Sequence, residues 1–155
     1  MNEALEENII NAYNVEKYAE ISLLMLFLKH QDLELRKLSA KLVLESKEHE
    51  ENMKNILRKM GLSKHLKNSV DYGYSRETLN NMDFKEILIQ MVKNEILAMN
   101  NYLELLIKVN RKEIEKYFED PDKEFYSVLS EMVFEELDHA KRILNFIKKI
   151  REDLN

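Results

Sequence analysis

The stretch VLSEMVFEELDHAKRI, residues 128–143, decides the reading of this chain. Val128, Met132, Glu136, His139 and Ile143 recur at three- and four-residue spacing, so they share one face of a helix. That face is apolar except at Glu136 and His139, which stand one turn apart as Glu-x-x-His. A carboxylate on a core-facing stripe is costly unless it is paired or bound to a metal. One such pair in a chain with 34% charged residues carries little weight. A lone core histidine is more often hydrogen-bonded than metal-bound. The weight comes from what the rest of the chain repeats.

The same half-site is written twice. Glu95-x-x-Ala98 precedes Glu136-x-x-His139, and Glu16-x-x-Ala19 precedes Ser46-x-x-His49. Ser46 stands where a glutamate would complete the first copy. Four amphipathic segments carry these residues. The first runs from about Glu3 to His30, with Ile9, Tyr13, Glu16, Leu23 and Phe27 on its inner face. Asp32 N-caps the second, which runs to Met60 before Gly61 and is lined by Leu35, Leu38, Leu42, His49, Met53 and Ile56. Asp83 and Glu86 form a capping-box-like start to the third, which runs to about Asn110 through Leu88, Met91, Glu95, Ala98, Tyr102, Leu105 and Val109. Asp120 caps the fourth, Pro121 fits its first turn, and the helix continues through Phe146 to about Arg151.

The connections set the topology. About two residues join the first pair, which forces an antiparallel hairpin. Arg111 to Glu119 joins the second pair. The crossover, about residues 62–82, is longer and polar; it holds Tyr72, Gly73 and Tyr74 and a short helix expected at Ser75 to Leu79. The expected fold is all-α: one four-helix bundle over residues 1–155, two antiparallel hairpins joined by a long crossover. It is also an internal two-fold repeat. Glu16 to Ser46 spans 30 residues and Glu95 to Glu136 spans 41, the difference falling in the turn near Arg111 to Pro121.

Composition agrees. Two glycines and one proline in 155 residues, with Leu, Lys, Glu, Ile, Met and Asn abundant, favour long helices. A net charge of −5 argues against a nucleic-acid partner. The absence of cysteine removes disulfides, thiolate nucleophiles and cysteine-held metal centres. Met1 to Ile10 has no apolar core, so no signal peptide is expected. Ile21 to Leu28, the longest uncharged apolar run, is too short for a bilayer. A cytoplasmic protein without a membrane partner is the expectation. His30 at a helix end and His65 in the crossover read as helix-dipole and surface residues. Met25, Met53, Met91, Met99 and Met132 read as core filler.

A pair of iron or manganese ions needs hard oxygen donors to neutralise charge and imidazoles to complete each coordination sphere. Glu at i and His at i+3 reach one point from one helix face, and a glutamate from each partner helix closes the other side. Glu16, His49, Glu95, Glu136 and His139 are the candidate metal ligands. Glu20 and Glu45 lie near the same face as substitutes for the carboxylate that Ser46 does not supply. A metal-free polar core layer is the alternative.

With these residues in place, the pattern Glu16-x-x-Ala19, Ser46-x-x-His49, Glu95-x-x-Ala98, Tyr102 and Glu136-x-x-His139-Ala140 resembles the rubrerythrin branch of the ferritin-like di-iron carboxylate superfamily. The resemblance covers all four helices. It implies that Glu16 and Glu95 are terminal ligands, that Glu136 bridges two metals and that His49 and His139 each hold one. Tyr102 would lie beside the site and support a ligand; Leu23 holds the equivalent place in the first repeat. Two departures follow. No cysteine-rich rubredoxin domain is present, so electrons would come from a separate donor. Ser46 replaces the second bridging glutamate, and a serine hydroxyl cannot span two metals.

The function implied is a di-metal protein of rubrerythrin type, using two iron or manganese ions to reduce peroxide or dioxygen and protect against oxidative stress, as a homodimer. A hydroxylase on the same scaffold is a further use of it. The alternative is a site-degenerate helical bundle acting as a non-enzymatic binding or structural module.

Overall fold

Capping residues set the helix limits in the computed structural model. It describes residues 3–29, 31–67 and 81–153, and their side chains except at 18, 20–29, 67, 152 and 153. The helices are α1 (Glu3–Lys29), α2 (Leu33–Lys59), α3 (Phe84–Lys108), a short α4 (Arg111–Ile114) and α5 (Val128–Asp153). No strand occurs among the described residues, so the chain is an all-α bundle.

The expected caps are in place. The Asp32 carboxylate accepts from the Leu35 amide at 2.8 Å and starts α2. Gly61, at φ 74°, ends it: the Gly61 amide donates to the Arg58 carbonyl at 3.1 Å and the Leu62 amide to the Leu57 carbonyl at 2.8 Å. That pair of bonds closes the last turn around a left-handed residue, a conformation glycine adopts without a Cβ clash. Asp83 and Glu86 form a complete capping box at α3.

The fourth long helix begins less regularly than expected. Asp120 accepts from the Lys123 amide at 3.3 Å, but a wide π-helical turn, Asp122–Ser127, comes before α5. The extra residue of a π turn shifts the helix face, and here Phe125 is fully buried against Phe118 and Tyr126. The connection before it also holds the four-residue α4. His65, expected at the surface, is half-buried, with Nε2 3.1 Å from a Glu6 carboxylate oxygen. The helix expected at Ser75 to Leu79, the Tyr72-Gly73-Tyr74 segment and His30 lie outside the described residues, as do the side chains of Leu23, Met25 and Phe27.

α1 packs along α2, α3 along α5, and α1 against α3. The apolar core falls into two clusters. Ile9, Tyr13, Met53, Leu57, Leu105 and Phe125 belong to one; Leu35, Leu42, Leu88, Met91 and Ile143 belong to the other. Burying a large aliphatic side chain stabilises the fold by about 1.5–3 kcal/mol. These two clusters therefore carry the bundle and hold in place the polar layer that separates them.

Candidate metal centre

The layer between the clusters is built from all four long helices. Glu16 of α1, Ser46 and His49 of α2, Glu95 of α3, and Glu136 and His139 of α5 are each at most 2% exposed. They point inward because their neighbours on the same faces are buried and apolar: Ala12, Met53, Met91, Met132 and Ile143 among them. The small residues Ala19, Ala98 and Ala140 are also buried here.

His49 Nδ1 lies 2.6 Å from Glu136 Oε1 and 3.7 Å from Glu16 Oε2. His139 Nδ1 lies 3.0 Å from Glu95 Oε2 and 3.5 Å from Glu136 Oε2. Glu136 thus reaches both imidazoles, one with each carboxylate oxygen. Ligand atoms of His49, Glu136 and His139 all lie within 4.8 Å of one another, close enough to share an ion. The Tyr102 hydroxyl, fully buried, donates to Glu16 Oε1.

The other ring nitrogens are also occupied. His49 Nε2 lies 2.6 Å from Glu135 Oε2, and His139 Nε2 lies 3.1 Å from Glu45 Oε2. Glu45 accepts from Arg142 at 2.7 Å, and Arg142 also pairs with Asp138. Glu45 and Glu135 each stand four residues before their own hairpin's histidine, and each reaches across to the histidine of the other hairpin. This exchange follows the internal two-fold. It fixes Nε2 as the nitrogen tied to a flanking carboxylate and leaves Nδ1 facing the buried ones.

The electrostatics follow from burial and pairing. Burial opposes charge on His49, but its hydrogen bond to Glu136 and its pairing with Glu16 outweigh it and raise its pKa to about 11. His139 follows the same balance, with Glu136 and Glu95 raising it to about 10. Burial, with Glu136 adding to it, pushes Glu95 up to about 8 against the pull of His139. Tyr102 is pushed well above its usual range by burial and by Glu16 beside it. Without a metal, two imidazolium ions and their carboxylates satisfy one another.

Ser46 has no such partner. Its Oγ is buried and makes no hydrogen bond, although a helical serine can donate back to its own preceding turn. In the internal repeat it is the counterpart of Glu136.

All five sequence candidates therefore meet in one layer. Of the two substitutes, Glu45 sits at its edge, engaged with Arg142 and His139, and the Glu20 side chain lies outside the described ones. Sequence reading missed Glu135 and Arg142. Glu135 had a signal, since it repeats the position of Glu45 relative to the histidine. Arg142 had none, because its counterpart in the first repeat is Asn52.

The donor chemistry fits a hard divalent metal: buried carboxylates and imidazoles, with no soft ligand. Comparison with protein-family models, with curated proteins and with solved structures gives no match.

Proposed function

We propose that the chain is a di-metal carboxylate protein of rubrerythrin type on a ferritin-like bundle, reducing peroxide or dioxygen with electrons from a separate donor. One observation carries this reading: Glu16, His49, Glu95, Glu136 and His139, drawn from four helices, converge in one buried layer with both Nδ1 atoms turned to carboxylates. Glu16, Glu95, Glu136 and the two histidines would hold two iron or manganese ions, which when bound supply the redox change that peroxide reduction requires.

The chain's own groups do the rest. Glu135 and Glu45 orient the imidazoles and hold the proton at Nε2, so that Nδ1 is the donor. Tyr102 steadies Glu16 by donating to Oε1. The apolar clusters above and below exclude water from the layer. No described helix is long and apolar enough to cross a membrane.

The test is peroxide consumption by iron-loaded protein with an artificial reductant. Turnover that rises with bound metal supports the reading. Bound metal without turnover moves it towards oxygenation of an organic substrate.

Ser46 and the mutual neutralisation of the metal-free layer favour a second reading, a site-degenerate bundle that binds a partner and does no redox chemistry. Protein that stays metal-free after growth in metal-rich medium would favour it.

A further inference from the structure

We propose that the Ser46 corner of this layer binds a small monocarboxylate of formate size, which takes the place of the absent fourth carboxylate. The proposal rests on the metal-centre reading. Glu136 shows what a carboxylate does at the repeat-related position: it reaches His49 with one oxygen and His139 with the other. Ser46 offers no such group. Beyond its γ atom, a glutamate differs from a serine by one carbon and two oxygens, which is one carboxylate.

Charge points the same way. Two divalent ions carry four positive charges, and Glu16, Glu95 and Glu136 supply three negative ones. Glu45 does not make up the difference, because Arg142 holds it at 2.7 Å. Glu135 lies on the far side of His49, at Nε2. One monovalent anion balances the site. Ser46 Oγ is buried and has no hydrogen-bond partner, which leaves its hydroxyl available to donate to such an anion.

The test is equilibrium dialysis of the metal-free protein against manganese(II), with formate or with chloride at equal ionic strength. Formate should raise the affinity for the second ion about tenfold or more, the scale of losing one supporting interaction at a metal site; chloride should not. Ser46→Glu should bind the second ion without formate and ignore its addition. Ser46→Ala, a change small enough to leave the fold intact, should bind metal but respond to formate less than the parent. Metal bound with no response to formate, an equal response to chloride, or an undiminished response in Ser46→Glu overturns the proposal alone. No metal bound in any arm overturns the metal-centre reading as well.

Discussion

His49 and His139 stack across the bundle axis, ring centroids 5.5 Å apart and planes 20° from parallel. Two imidazoles this close repel when both are charged, and here Glu136, which reaches both rings, and Glu16 beside His49 offset that repulsion. The same carboxylates would serve as metal ligands once the Nδ1 protons leave. On the proposed reading the layer is satisfied either by protons or by metal, and several predictions turn on that exchange.

The metal-free protein should lose stability as pH rises. Unfolded histidines release their protons near pH 6.5, whereas His49 and His139 hold theirs to about 11 and 10 in the fold. The folded state then binds more protons than the unfolded one, so the contribution is full below about pH 6.5 and is lost as pH climbs through the folded values. Glu95, raised to about 8, adds the same sign between about pH 4.3, its unfolded value, and 8. Urea unfolding at pH 6.5 and 9, with chelator present, should show lower stability at pH 9. Equal stability would mean that the histidines do not hold their protons in the fold.

Metal binding should release protons and tighten with pH, because the metal and the proton compete for Nδ1. Calorimetric titration in two buffers of different ionisation enthalpy measures the protons released. A value near zero at pH 7 would place the metal away from the histidines.

Tyr102→Phe should destabilise the metal-free protein by about 1–3 kcal/mol, the cost of leaving a buried acceptor unpaired, because the hydroxyl donates to Glu16 inside the core. The same variant should bind metal more weakly through a less fixed Glu16. A thermal melt and a metal titration on the variant read both effects. An unchanged melt would remove Tyr102 from the site.

Glu135→Gln should lower metal affinity about tenfold or more without disturbing the fold. Its carboxylate orients His49 through Nε2, yet the side chain is 58% exposed, so little packing is lost. Affinity equal to the parent's would show that His49 is positioned by packing alone.

Ser46→Glu should raise the melting temperature in the presence of iron and lower it without, since a buried glutamate is costly until a cation pairs with it. A lower melting temperature that iron does not rescue would count against a competent site.

Much of this was legible in the sequence, because helices announce themselves by stripe and cap. Asp32, Gly61 and the Asp83–Glu86 box mark their termini as expected. The five inward residues were visible because a charge on an apolar stripe stands out. Glu135 and Arg142 were missed, since they sit at the edge of the stripe, where a charge in a highly charged chain looks like solvent-facing surface; only Glu135, which repeats the position of Glu45, carried a signal. The π-helical turn at Asp122–Ser127 left no trace either, as one added residue alters no composition or period over so short a span. That Glu45 would be held by Arg142 depends on how α2 and α5 face each other, which only the packed bundle decides.

The central claim is that the His49–Glu136–His139 layer holds metal. Elemental analysis of the protein after anaerobic loading with iron(II) and desalting, beside Glu136→Gln treated identically, tests it most directly. The account predicts metal approaching two ions per chain in the parent and a large loss in the variant, because Glu136 touches both histidines. A parent that retains no metal, or a variant that retains as much as the parent, would contradict it.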